Sequence, residues 1–147
     1  MLIDTHSHLN FNAFKEDADE VIKRSLEEET WMINVGSDYK TSRRSLDFAN
    51  KYEKGVYAAV GLHPMHLVDI KEEGKFIQAE EFSYGVYEKL ASFEKTVAIG
   101  EIGLDYYHIV HDANEERIRA KQKEVFARLL ELARRADLPA IIHCRQA

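Results

Sequence analysis

Val97-Ala98-Ile99-Gly100-Glu101 is a compact apolar run that closes on a carboxylate. Glu115 to Ala136 follows it, with Phe126, Leu129, Leu130 and Ala133 recurring at helical spacing. Pro139 to His143 then repeats the motif, an apolar run ending on a polar group. Working back from Val97, Ala79 to Phe93 reads as a helix with Phe82, Val86, Leu90 and Phe93 on one side. Val56 to Val60, closed by Gly61, reads as a strand. Thr41 to Tyr52 is a helix with Ser42, Leu46 and Ala49 on a face, ended by Gly55. Trp31 to Val35 is a strand closed by Gly36. Asp17 to Glu29 is a helix with Ala18, Val21, Ile22, Ser25 and Leu26 together, and Leu2 to His8 is the first strand. Residues 64–77 and 102–113 read as loops. Five strands alternating with four helices imply parallel βαβ units with right-handed crossovers. Two architectures fit, a five-stranded doubly wound sheet or the first five strands of a (β/α)8 barrel. Length favours the open sheet, because a full barrel takes about 250 residues; the motifs favour the barrel.

The chain has 147 residues, 45% of them hydrophobic and 31% charged, which predicts one globular domain over residues 1–147. A formal charge of −6 argues against a protein that coats polyanions. It leaves room for a nuclease, because bound metal ions supply positive charge locally. No apolar run approaches the ~18 residues of a membrane span. The N-terminus has neither a basic region nor an apolar signal core. Cys144 is the single cysteine, so no internal disulfide forms and a cytoplasmic location is the default expectation.

The polar groups at strand ends are the candidates for chemistry. His6 and His8 sit two apart, and strict alternation puts both on one face with Asp4. Two such imidazoles can hold one divalent cation; chance or a structural role carries comparable weight. Alternation puts Val97, Ile99 and Glu101 on one face, and a carboxylate there reads as a metal ligand ahead of the alternative, a buried Glu–Arg pair. His143 shares a face with Ile141 and converges with the others if the sheet curls, although a lone histidine after an apolar run is more often a core residue. Imidazoles with a carboxylate suit divalent transition metals, with magnesium possible where oxygen ligands dominate. His63 reads equally as a substrate contact or a structural residue, and Arg145 as a phosphate contact or a surface ion pair. Asp4 is a candidate acceptor for a ligand imidazole. Asp105 reads first as structural, Cys144 as packed, and His66, His108 and His111 as surface loop residues. No glycine-rich phosphate loop is present.

Four stretches together resemble the TatD family of metal-dependent deoxyribonucleases: Ile3-Asp4-Thr5-His6-Ser7-His8-Leu9, Val60-Gly61-Leu62-His63-Pro64, Ala98 to Tyr107, and Leu138 to Ala147. The resemblance implies a (β/α)8 TIM-type barrel truncated to about its first five strands and four helices. It implies two divalent cations (Mg, Mn or Zn), His6 and His8 binding one, Glu101 bridging both and acting in catalysis, and His143 binding the second. The implied reaction is hydrolysis of DNA phosphodiester bonds by a metal-activated water. A further His and an Asp of the family pattern would lie beyond Ala147, so the resemblance also implies a piece of a longer protein. Two alternatives stand beside it. One is a related amidohydrolase acting on C–N or ester bonds, against which no lysine lies in the fourth strand. The other is a catalytically incomplete half-barrel that self-associates through its open edges.

Overall fold

The computed structural model describes residues 1–72, 75–109 and 114–147. Five parallel strands make one sheet: β1 (Leu2–Ser7), β2 (Thr30–Val35), β3 (Val56–Val60), β6 (Thr96–Asp105) and β7 (Ala140–Arg145), in the spatial order β1-β2-β3-β6-β7. Helices α1 (Ala18–Glu27), α2 (Tyr39–Lys51), α3 (Tyr84–Ala91) and α4 (Glu115–Ala136) connect them. A two-stranded antiparallel ladder, β4 (Ile70–Glu72) with β5 (Lys75–Ile77), and a 3-10 turn at Pro64–Leu67 stand where a loop is expected over 64–77.

All four helices contribute to one core on one face of the sheet. Ile22 of α1, Leu46 of α2, Tyr87 of α3 and Leu129 of α4 bury against Met32, Val56, Ala58, Val60, Ile99 and Ile102. The opposite face carries a separate small cluster, Val35, Ala59 and Ala98 with Ile33 and Ile141 beside it. A doubly wound sheet would place helices on both faces. Here the sheet curls with its small residues inward, which makes it a half-barrel. The chain-length argument for an open sheet therefore fails. β1 and β7 are the two edges, and Leu2, Ile3 and Ile142 are exposed there.

Local chemistry accounts for the helix ends. Asp38 accepts the Thr41 N–H at 2.7 Å while Thr41 Oγ1 accepts the Asp38 N–H at 3.0 Å, a reciprocal cap on α2. Helix α4 begins with Glu115 and Glu116, ends with Arg134 and Arg135, and closes on Asp137 in the left-handed conformation, so its charges complement the helix dipole. No helix among the described residues is long and apolar enough to cross a membrane.

Two strands depart from strict alternation. In β1, Asp4 and Ser7 stand three apart but pair with Met32 and Asn34, two apart. In β6, Ile99 and Ile102 pair with Ala140 and Ile142. Each strand holds one more residue than its neighbour, the signature of a bulge. The expectation that Ile99 and Glu101 share a face is corrected by the second slip. Ile99 and Ile102 both bury beneath the helices, while Glu101 turns to the mouth of the half-barrel. The first slip likewise removes the strict face-sharing of Asp4 with His8.

Candidate metal centre

The site sits at the C-terminal ends of four strands. β1 brings His6 and, one residue past its end, His8; the segment after β3 brings His63, β6 brings Glu101, and β7 brings His143. Backbone bonds set the mouth. The Glu101 N–H donates to Gly36 O at 2.8 Å, joining β6 to the end of β2 although β3 lies between them in the sheet. Gly61, at the end of β3, makes that approach possible. A Cβ there would meet the Gly100 carbonyl carbon at 2.6 Å and Glu101 O at 2.8 Å. The His63 N–H donates to Ser37 O at 2.8 Å and holds the next turn against the same rim.

The two carboxylate oxygens of Glu101 face different partners. Oε2 lies 3.4 Å from His6 Nε2, and Oε1 lies 3.1 Å from His143 Nδ1. His6, His8 and Glu101 offer ligand atoms within 4.8 Å of one another, and so do His63, Glu101 and His143. Hydrogen bonds sort these groups. His8 Nδ1 lies 3.0 Å from Val35 O, so Nδ1 carries the proton and Nε2 is free to bind a cation. Burial lowers the His8 pKa, the Val35 bond opposing it, and the net shift favours the neutral ring that a metal needs. His143 Nε2 lies 2.9 Å from Asp105 Oδ2, so Nε2 donates and Nδ1 is left toward Glu101.

His63 differs. Its Nδ1 accepts the Met65 N–H at 3.1 Å, so the proton of the neutral ring sits on Nε2, 4.0 Å from Glu101 Oε1. Burial, reinforced by the neighbouring His143, pushes its pKa down to about 4. His63 is thus a neutral hydrogen-bond donor facing the centre. It is a poor ligand, because no lone pair on either nitrogen remains for a cation.

Asp105 is the residue the sequence reading undervalues. The strand expected to stop at Glu101 runs on to Asp105, which is 1% exposed. Its Oδ2 takes His143 Nε2 and His108 Nδ1 (2.8 Å), and its Oδ1 accepts the His108 N–H at 2.9 Å. Burial alone would raise its pKa, but the hydrogen bonds from His108 and His143 outweigh burial and hold it below the usual carboxylate value. Gln122 of α4 grips the Asp105 backbone from the other side, accepting its N–H and donating to its C=O, both at 2.9 Å. A buried carboxylate behind a ligand imidazole fixes the ring and raises its basicity.

The remaining candidates lie as follows. Asp4 Oδ1 accepts the backbone N–H of His6 at 3.0 Å and touches no imidazole. The Arg145 guanidinium lies over the Tyr107 ring, 3.9 Å from its centroid. Cys144 is exposed, where packing was expected. His66 follows His63 in the 3-10 turn with ring centroids 6.4 Å apart, and His111 lies outside the described residues.

A one-sided parallel α/β half-barrel with imidazoles and carboxylates gathered at its strand ends defines the class of metal-site hydrolase barrels. Within that class the chain belongs to the TatD-related DNase family, whose sequence model matches residues 3–147. The chain is 38% identical over 148 residues to the uncharacterized metal-dependent hydrolase YabD of Bacillus subtilis, covering 100% of this chain and 52% of that protein. It is 29% identical over 147 residues to the 3'-5' ssDNA/RNA exonuclease TatD of Erwinia tasmaniensis, covering 99% of this chain and 51% of that protein. It matches the crystal structure of YjjV, a TatD homologue from Escherichia coli, with a TM-score of 0.76 and 29% identity, over 99% of this chain and 51% of that one. The chain therefore spans about half the length of these relatives.

Proposed function

We propose that the protein carrying this chain hydrolyses phosphodiester bonds in DNA with two divalent cations, Mg, Mn or Zn, at the mouth of the barrel. The observation that carries the reading is Glu101, whose two oxygens each face a different imidazole group. In this reading His6 and His8 hold one cation, His143 holds the other and Glu101 bridges both. The donor set fits, because His8 and His143 each have one ring nitrogen fixed by an oxygen acceptor and the other left for a metal. Cations bound there supply a water of lowered pKa as nucleophile and neutralise charge developing on the phosphoryl group.

The chain's own side chains do the rest. Asp105 orients His143. His63 presents Nε2–H as a donor to the Glu101 carboxylate or to a phosphate oxygen beside it. Arg145, two residues past His143, brings a positive charge to the rim. The relative named as an exonuclease and the family description support DNA as substrate. We place the protein in the cytoplasm, where a free thiol such as Cys144 stays reduced. The residues span a single domain, 1–147, in this reading.

The test is the full-length protein with Mg²⁺ or Mn²⁺ on linear DNA. Glu101→Gln should lower kcat by about 10²-fold or more, as loss of a positioned charge at such a centre does. Intact DNA under both metals would sink the assignment. A second reading is self-association of the 147-residue chain through its edge strands, favoured by exposed Leu2, Ile3 and Ile142. Sedimentation of the chain as a monomer at micromolar concentration would refute it.

A further inference from the structure

His8 lies one residue past the end of β1, whose last register pair is Ser7 with Asn34 of β2. The backbone ladder therefore stops short of this ligand, and two buried carboxamides take its place. Asn34 is 0% exposed, and its Oδ1 accepts the Leu9 N–H at 3.1 Å and the Ser7 hydroxyl at 3.2 Å. These two donors flank His8. Asn10 is 1% exposed, and its Nδ2 donates to Val35 O at 2.9 Å and to Thr41 O at 3.0 Å. Val35 O is the atom that also takes His8 Nδ1.

Each amide works through one atom. Asn34 Nδ2 and Asn10 Oδ1 are buried and bond to no described residue. The next residue is held as well, because Arg44 Nη1 of α2 donates to Phe11 O at 3.2 Å, and the Phe11 ring lies 4.4 Å from that of His8. These hydrogen bonds run from residues 7–11 to β2 and α2, away from the free edge of β1. The arrangement depends on buried contacts and not on any exposed surface.

We propose that Asn34 and Asn10 are positioning residues that set the affinity of the first cation, by aiming His8 Nε2 at the point where His6 and Glu101 converge. The proposal rests on the two-cation reading and adds residues that the reading leaves unused. Asn34 Oδ1 fixes the backbone on both sides of His8. Asn10 ties the Val35 carbonyl to the Thr41 carbonyl of α2, and Val35 O in turn holds the His8 ring through Nδ1–H. A ring fixed at its backbone and at its second nitrogen has little freedom left to lose when Nε2 binds a metal. Loosening either hold lowers affinity for the cation at His6 and His8. The cation at His143 is unaffected, because Asp105 orients that ring instead.

The test is Mn²⁺ titration of the metal-free full-length protein by calorimetry, with His143→Ala used to identify the phase that belongs to the second cation. Asn34→Leu keeps the bulk and removes the acceptor. It should weaken the first phase about 10- to 100-fold, the range for losing a group that orients a ligand imidazole, and leave the second phase in place. Asn10→Ala, which removes the donor to Val35 O, should act in the same direction. Asn34→Asp keeps the oxygen that accepts both bonds and should restore the first phase. The ring-nitrogen NMR spectrum of metal-free wild type should show the His8 proton on Nδ1. That arm needs no variant to fold.

Unchanged first-phase affinity in Asn34→Leu and Asn10→Ala would overturn the clamp and leave the two-cation reading standing. So would loss of both phases together with a lowered unfolding midpoint, the result that a role in folding alone produces. An Asn34→Asp protein as weak as Asn34→Leu would remove the oxygen from the account, and a wild-type His8 ring protonated on Nε2 would remove Val35 from it; either refutes the aim given to Nε2. No Mn²⁺ binding by wild type would overturn the clamp and the reading on which it rests.

Discussion

Gln122 supplies the most exacting test of how this centre is supported. It is 2% exposed on α4, and its amide completes the hydrogen bonds of the Asp105 backbone as a neighbouring strand would, at 2.9 Å in both directions. Gln122→Ala removes both bonds, each worth about 1 kcal/mol net, and leaves a buried N–H and C=O to find new partners at about 1 kcal/mol or more each. The sum is about 4 kcal/mol. With a urea m-value of about 2 kcal/mol/M, the unfolding midpoint should drop by about 2 M without a change in slope. Hydrolytic activity should fall as well, because Asp105 loses the anchor that aims its carboxylate at His143. Gln122→Glu keeps the size and one acceptor but removes the donor to Asp105 O, and should lose at least half as much stability. A midpoint shift below about 0.3 M for Gln122→Ala would refute the clamp.

Acidification should act through His63. Its folded pKa of about 4 lies below the ordinary 6.5, so between those values the unfolded chain binds the extra proton and stability is lost as pH falls. Metal-free wild type should lose about 2 kcal/mol more than His63→Gln between pH 7 and pH 5, read by urea melts at both pH values. Parallel losses would remove His63 from the account. Gly61→Ala should place its Cβ against the Gly100–Glu101 backbone, destabilise by about 1–3 kcal/mol and displace Glu101, so activity should fall further than stability alone explains. Unchanged kcat with a lowered unfolding midpoint would count against the displacement. Asp105→Asn should weaken Mn²⁺ binding about 10- to 100-fold by calorimetry, the usual cost of losing the acceptor behind a ligand imidazole; unaltered affinity would mean His143 holds its orientation unaided.

Helical spacing and apolar runs order the parallel strands and the helices, and the polar ends of three strands pick out His6, His8, Glu101 and His143. Four things lie outside their reach. Strand periodicity says which residues share a face but not which face the crossovers cover, so Leu46 and Leu129 read as buried stripes without showing that both bury on the same side. The glycines at 100 and 103 read as the end of a strand. Gly103, at φ +147°, instead lets β6 pass close to the His143 carbonyl, and the strand delivers Asp105. Asp105 therefore reads from the sequence as a loop residue. The strand pair β4–β5 is too short and charged for alternation to register. The role of Gln122 had no local signal at all, since a polar residue in a charged helix reads as solvated.

The bulges in β1 and β6 have an effect on how these strands can vary. Each is a phase slip of half a pleat. Across the slip in β6, Ile99 and Ile102 both answer to the helices, while Glu101 between them answers to the mouth. Body and rim are thereby uncoupled, so packing under α4 can be rewritten without turning Glu101 away from the histidines.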